Sequence, residues 1–347
     1  MRNVPIQNVY FMLTYAWNNA KEKDISTSSG EESPELYNFL SQKLINGIHH
    51  LLKRGFNRDY RTESSDLKTI RGKINFTSTI KKGLLYNGKV NCEYDEFDVD
   101  TKQNQIIKAT LTKLLSVNSL EKNIKTEIIV LTRRFLNVSN IQLVKSSFSG
   151  LTFNGNNKYY QYLINICDFI FENILPTEDS GKYKFRKFDE ERLFAIFESF
   201  IKNFYKNERP DLLVTGERYS YQMVADRLEA QSFIPTLNTD VSLISKERKL
   251  IIDTKFYSKT LETNEFGNKT INPSNLRQIN AYLDNATVNE NQKLDGMLLH
   301  PTIDKDYDEV FTYRKKFKIY FQTINLNQNW KKIREKLLQI IEPIGQA

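Results

Sequence analysis

The stretch whose reading decides the fold runs Ile234-Pro-Thr-Leu-Asn-Thr-Asp240-Val-Ser-Leu-Ile244, then Ser245-Lys-Glu-Arg248, then Lys249-Leu-Ile-Ile-Asp253-Thr-Lys255-Phe-Tyr257. Two apolar runs separated by a short polar turn predict a β-hairpin. Asp253 and Lys255 stand two apart on the second strand, so their side chains leave the same face. Asp240 opens the first strand and comes across from that pair. Leu250, Ile251 and Ile252 predict a strand buried on both faces. An acid and an ammonium in such a strand are costly without a partner or a metal. Two carboxylates a few ångströms apart become stable when a divalent cation sits between them. Such a cation polarises a phosphoryl oxygen and acidifies a bound water, while a neighbouring lysine stabilises developing charge. The pattern points to phosphodiester hydrolysis.

Working outward, a third carboxylate is expected from the preceding helix, Glu190–Tyr205. Glu198 lies at the edge of its apolar face (Leu193, Phe194, Phe197, Phe200, Ile201, Phe204), and Glu191, seven residues earlier, competes for the role. On the helix after the hairpin, Asn275–Leu283, Gln278 and Tyr282 are four apart and project together. They are expected to order a water or contact a DNA backbone. Strands are expected at Asp211–Val214, Met223–Asp226, Asp295–His300 and Phe317–Ile324, and a closing helix at Trp330–Ile341. The fold class is therefore α/β, α+β overall. A C-terminal domain with a central mixed sheet, residues 156–347, follows an N-terminal β-containing domain with helical flanks, residues 1–155. The Gly/Asn-rich segment at 150–158 marks the expected boundary.

The first half reads as helices at Val4–Asn18, Leu36–Lys53, Asn104–Leu115 and Asn123–Phe135 around a strand-rich segment from Tyr60 to Asp100. Gly83-Leu-Leu-Tyr-Asn-Gly88-Lys89-Val90 nearly fits a phosphate loop but ends in Val where a magnesium-binding hydroxyl is required. Asn87-Gly88 is instead expected to turn a β-hairpin, and no nucleotide is expected on this chain.

Composition narrows the chemistry. The 347 residues include only two cysteines and three histidines, which excludes a disulfide framework and a thiolate zinc site. His49 and His50 fall in the last turn of a helix, where a cationic residue suits the dipole. Metal chemistry must then run through carboxylates, which favour Mg²⁺, with Mn²⁺ as the alternative. No apolar run approaches the span of a bilayer, and the opening residues lack a signal-peptide pattern; a cytoplasmic protein is expected. The formal charge of +8 is uneven: residues 1–155 hold 22 basic and 15 acidic residues, residues 156–347 hold 28 and 27.

The arrangement Glu198…Asp240…Asp253-Thr-Lys255 with Gln278-x-x-x-Tyr282 resembles the PD-(D/E)XK nuclease superfamily. Pro235 stands five residues before Asp240, within the latitude of that loose motif. PIQNVYFMLTYAW at 5–17, IRGKI at 70–74, CEYDEFDVDTKQNQIIKATL at 92–111, PTLNTDVSL at 235–243 and GMLLHP at 296–301 resemble the McrC family. McrC proteins are the nuclease subunits of McrBC-type restriction systems, specific for 5-methylcytosine. The resemblance implies a DNA endonuclease subunit using Mg²⁺, with Asp240, Asp253 and Lys255 as the catalytic triad and Asp240, Asp253 and Glu198 as metal ligands. It also implies an N-terminal half that docks into a ring-forming AAA+ GTPase, McrB, which recognises and translocates double-stranded DNA, and stimulates its GTP hydrolysis. Within that half, the basic, turn-rich segment Arg54–Lys82 is the expected docking surface, with Arg58, Tyr60 and Arg61 foremost. Two rivals stand beside this reading: a non-catalytic adaptor of the ring, and a free-standing repair or resolvase-type nuclease.

Overall fold

The structure is a computed structural model describing residues 4–18, 36–153, 158–176, 183–185, 190–255, 261–263, 267–303 and 305–342. The chain divides into two compact units, Glu31–Arg186 and a second one assembled from Met1–Gly30 with Lys187–Ala347. This division differs from the boundary expected at 150–158. Helix α1 (Ile6–Ala16) belongs with the C-terminal unit because its Phe11 and Tyr15 rings pack against Phe200 and Phe204 at centroid distances of 5.2–5.7 Å. Each such aromatic pair adds about 0.5–1.5 kcal/mol beyond its buried area. The Asn8 amide donates to the carbonyls of Leu326 (2.8 Å) and Gln328 (2.6 Å), fixing the same helix to the far end of the chain.

The Glu31–Arg186 unit begins with helix α2 (Leu36–Arg54), which ends in Lys53 and Arg54 as its dipole favours. Strand β1 (Asp59–Leu67), β2 (Lys73–Ile74), short helix α3 (Phe76–Lys81) and β3 (Val90–Asp98) follow. The three strands form an antiparallel sheet of order β1-β3-β2, with Asp59 opposite Asp98 and Leu67 opposite Val90. The hairpin expected at Asn87-Gly88 does not form. Leu84–Asn87 is a 3₁₀ turn closed by Gly88 in the left-handed conformation, because β3 finds its partners in β1 and β2. Helix α4 (Lys102–Leu115) packs on α5 (Lys122–Thr132) and α6 (Lys158–Asn173), both of which pack with α2, and strands β4 (Ile174–Pro176) and β5 (Tyr183–Phe185) pair antiparallel. His49 faces Glu127 at 3.0 Å, an exposed ion-pair position rather than a ligand set.

The second unit is built on helix α7 (Glu190–Glu208), then β6 (Leu213–Thr215), β7 (Arg218–Ser220), β8 (Thr236–Asn238), β9 (Val241–Ile244), β10 (Arg248–Thr254), β11 (Glu262–Thr263) and β12 (Lys269–Thr270). Helix α8 (Pro273–Asn285), β13 (Lys293–Thr302), β14 (Asp308–Tyr313), β15 (Phe317–Asn325) and α9 (Trp330–Gln339) complete it. Six strands form a mixed sheet of order β14-β15-β13-β10-β9-β6, parallel where β10, β13 and β15 meet and antiparallel elsewhere. The mixed α/β class and central mixed sheet match the expectation. Residues 223–226, expected as a strand, are irregular; β7 lies earlier, pairing with β8, and Leu228–Phe233 is a 3₁₀ helix.

Strand β10 is buried along its whole length. Ile251 packs with Leu298, Phe321 and the Ile279, Tyr282 and Leu283 side chains of α8. Leu250 and Ile252, equally buried, point to the opposite face by alternation. Gly296 on β13 permits the close approach of α8, since a Cβ there would stand 2.8 Å from the Ile279 side chain. That approach sets the distance from α8 to the end of β10.

Candidate functional site

The hairpin forms in the expected register, with Val241 opposite Ile252 and Leu243 opposite Leu250. Pairing stops at Val241, so Asp240 stands just past the end of the ladder. Its Oδ2 accepts from the Thr254 backbone N–H (2.8 Å) and the Thr254 hydroxyl (2.9 Å), replacing the partner that the ladder no longer supplies. Across the sheet, the Lys255 N–H donates to the Leu299 carbonyl at 3.0 Å, fixing the end of β10 against β13.

Asp253 is fully buried, and Lys255 nearly so. The Lys255 ammonium donates to Asp253 Oδ1 at 3.0 Å and to Gln278 Oε1 at 3.0 Å. Gln278 in turn donates to the Tyr282 hydroxyl (2.7 Å), which donates to the Asn238 carbonyl (2.6 Å). This relay settles which way the Gln278 amide points. Its oxygen is spent on Lys255, where the sequence suggested a contact with water or DNA.

Asp253 Oδ2 is buried and, among the described residues, has no hydrogen-bond partner. Burial pushes the Asp253 carboxyl up to about 7, against the pull of Lys255 and with a further upward push from Asp240 and Glu198. Half-buried Glu198 on α7 is shifted upward for the same two reasons, desolvation first and the Asp240 carboxylate second. Carboxylates that raise one another in this way share one electrostatic site. The structure thus brings Asp240, Asp253, Lys255, Gln278 and Glu198 into one neighbourhood. Glu191 lies in α7, but its side chain is outside the described residues.

The donor set fits a hard divalent cation: oxygen ligands only, and one buried carboxylate oxygen in need of a positive partner. Among the described residues no three His, Cys, Asp or Glu side chains already converge as a ligand cage. Asp240 spends one oxygen on Thr254, and Asp253 spends one on Lys255. Cation binding here would draw on the oxygens that these contacts leave over.

Sequence reasoning missed His300, which follows Leu299 on β13 and so lies beside Lys255. Both its ring nitrogens are buried without partners, and burial, helped by the Lys255 charge, pushes the imidazole down to about 4. Only the β10–β13 register reveals that adjacency. A buried ion pair was missed as well: Arg248 donates to Asp295 Oδ2 through Nε (2.9 Å) and Nη2 (2.6 Å), while Asp295 Oδ1 accepts from the Lys318 N–H at 2.9 Å.

The segment expected to dock a partner has a different character. Arg58 is exposed, and Tyr60 is 71% exposed, its ring 5.0 Å from Phe97. Arg61 lies opposite Glu96 in β1, its side chain outside the described residues. Toward the Leu67–Val90 end of the same sheet, Ile70, Phe76, Ile80, Leu85 and Tyr86 are all more than 60% exposed. Between Leu67 and Cys92 the chain carries six Lys or Arg and no acid. No helix among the described residues is long and apolar enough to cross a membrane.

Residues 6–301 match the family described as McrBC 5-methylcytosine restriction system component. The chain is 29% identical over 341 residues to the Type IV methyl-directed restriction enzyme EcoKMcrBC of Escherichia coli (strain K12), covering 98% of this chain and 97% of that protein. It also superposes on a chain from a half-complex of the tetradecameric assembly of Thermococcus gammatolerans McrB AAA+ hexamers with bound McrC. The TM-score is 0.60 at 17% identity, over 98% of this chain and 76% of that one, a likeness of fold. With the match extending over most of its length, the chain belongs to the McrBC 5-methylcytosine restriction system component family.

Proposed function

We propose that this chain is the McrC-type, Mg²⁺-dependent DNA endonuclease subunit of a GTP-dependent restriction system, docking on a McrB-like AAA+ ring that recognises and translocates double-stranded DNA. The observation that carries the nuclease reading is the buried Asp253, one oxygen on Lys255 and the other without a partner, beside Asp240 and Glu198. This is the PD-(D/E)XK arrangement of acids and lysine. When bound, the cation supplies Lewis-acid polarisation of the phosphoryl oxygen and a more acidic water. The protein's own part is positional. Gln278, held by Tyr282 and Asn238, holds the Lys255 ammonium beside Asp253, where it would steady charge gathering on the phosphate. Asp240 is fixed at the strand end by Thr254.

The exposed apolar and basic surface of the β1-β3-β2 module, from Tyr60 at one end of the sheet to Tyr86 at the other, is the docking face. Apolar side chains standing in water on a folded module are explained by a protein partner, and the T. gammatolerans assembly, McrB AAA+ hexamers with bound McrC, suggests the kind of partner. The decisive experiment is Asp253→Ala in the reconstituted pair. Cleavage should vanish while ring binding and stimulated GTP hydrolysis persist; retained cleavage rejects the site. One observation favours the adaptor rival, namely that no three-ligand cage is preformed among the described residues. That rival requires GTPase stimulation with no cleavage in any divalent metal.

A further inference from the structure

Glu198 has two lysines in its electrostatic neighbourhood, Lys255 and Lys202, of which only Lys255 was expected. Lys202 stands four residues after Glu198 on α7, on the same edge of the helix. The position of its ammonium is revealed by Gly216, in the turn between β6 and β7. A Cβ added there would lie 3.2 Å from Lys202 Nζ, 3.0 Å from the Thr239 carbonyl oxygen and 3.5 Å from the Asp240 carbonyl oxygen. The amine therefore borders the notch that the glycine leaves open, a notch that the Thr239 and Asp240 carbonyls also line.

Lys202 is half-buried, yet among the described residues its ammonium has no hydrogen-bond or ion-pair partner. A surface lysine needs none, because water solvates it. A half-buried lysine close enough to act on the Glu198 carboxyl, yet without a direct bond to it, is a cation held ready for another anion. The other described lysines of this unit that are buried to a similar or greater degree are committed: Lys249 to Glu217 and the Thr287 carbonyl, Lys255 to Asp253 and Gln278, Lys318 to Thr312 and Lys336 to Asp308.

We propose that Lys202, beside the Gly216 notch, is a DNA-phosphate-binding residue, and that it grips a backbone phosphate next to the one being cut. The proposal rests on the nuclease reading and adds to it a binding contact outside the acid–lysine motif. The contact is electrostatic and indifferent to sequence, since a lysine reads a phosphate as a point charge. It places the strand across the acids without taking part in bond breaking. Gly216 is then explained by close approach, because any side chain there would crowd the amine.

The test uses the full chain, with and without its ring partner and GTP, and a fluorescent duplex carrying 5-methylcytosine. Binding and cleavage are measured at increasing KCl for Lys202→Ala, Lys202→Arg and Gly216→Ala. Lys202→Ala should weaken duplex binding severalfold and reduce the log–log salt slope by about 0.9, the value for one lost phosphate contact. It should raise the DNA concentration for half-maximal cleavage with little change in the rate at saturation. Lys202→Arg should keep the slope, and Gly216→Ala should shift binding in the same direction as Lys202→Ala. An unchanged slope in Lys202→Ala overturns the proposal, as does an arginine variant as impaired as alanine, which would mean that Lys202 only shapes the fold. If Asp253→Asn abolishes cleavage while Lys202→Ala binds and cuts as wild type, the nuclease reading stands and this inference falls. Cleavage surviving Asp253→Asn removes both.

Discussion

The centre of the six-stranded sheet and the three-stranded β1-β3-β2 module invert the usual placement of side chains in opposite senses. Around β10 and β13 the sheet hides charge: Asp253, Lys255, Arg248, Lys249 and Asp295 are all less than a tenth exposed. The module instead displays apolar groups, with Tyr86 97% and Phe76 67% exposed. Hidden charge is stable only when paired or when a ligand completes it. Displayed apolar surface is favourable only when something covers it. The first arrangement suits chemistry and the second suits docking.

This contrast breaks most sharply if the buried charges of the sheet are not equivalent. Asp295 is saturated by Arg248 and the Lys318 N–H. Asp295→Ala leaves the Arg248 guanidinium buried without its main partner and should cost about 3–5 kcal/mol of folding stability, read by chemical denaturation. Lys255→Ala acts at the site, where one carboxylate oxygen is unsatisfied, and should reduce cleavage by about 10²–10³-fold. Its unfolding midpoint should change far less, which single-turnover assays and denaturation together will separate.

His300 offers a smaller test of the same hidden polarity. Its imidazole is pushed down from 6.5 to about 4, so between those values the unfolded chain binds the proton that the folded chain refuses. Stability should therefore fall as pH falls from 6.5 towards 4, by about 3 kcal/mol from this residue. His300→Leu should flatten that part of the stability–pH curve. A curve unchanged by the substitution would mean that other groups govern acid unfolding.

The smallest effects belong to the module. Phe76→Ala or Tyr86→Ala should leave folding stability within about 0.5 kcal/mol and weaken ring association by about 1–2 kcal/mol each. Titration calorimetry or sedimentation of the pair would measure this. Saturating ring should restore cleavage in these variants.

The sequence made the hairpin legible because its information is local. Apolar Leu250–Ile252 predicts a buried strand, and a spacing of two places Asp253 and Lys255 on one face. Gln278 and Tyr282 were legible through their i,i+4 spacing, although the direction of the Gln278 amide waits on where Lys255 arrives. The unit boundary was not legible. Asn- and Gly-rich residues near 150–158 signal a surface loop, whereas the boundary is set by Phe11 and Tyr15 meeting Phe200 and Phe204 almost two hundred residues away. The Asn87-Gly88 hairpin failed for the same reason, since its strand found better partners at longer range. His300 and Asp295 became meaningful only once β13 lay parallel to β10.

The central claim is that one region cuts and the other docks, and Asp253→Asn in the reconstituted chain–ring pair tests it most directly. DNA cleavage and GTP hydrolysis are followed in the same reaction with Mg²⁺. The account predicts cleavage lost and stimulated GTP hydrolysis unchanged. Cleavage at the wild-type rate, or loss of both activities together in a folded variant, would contradict it.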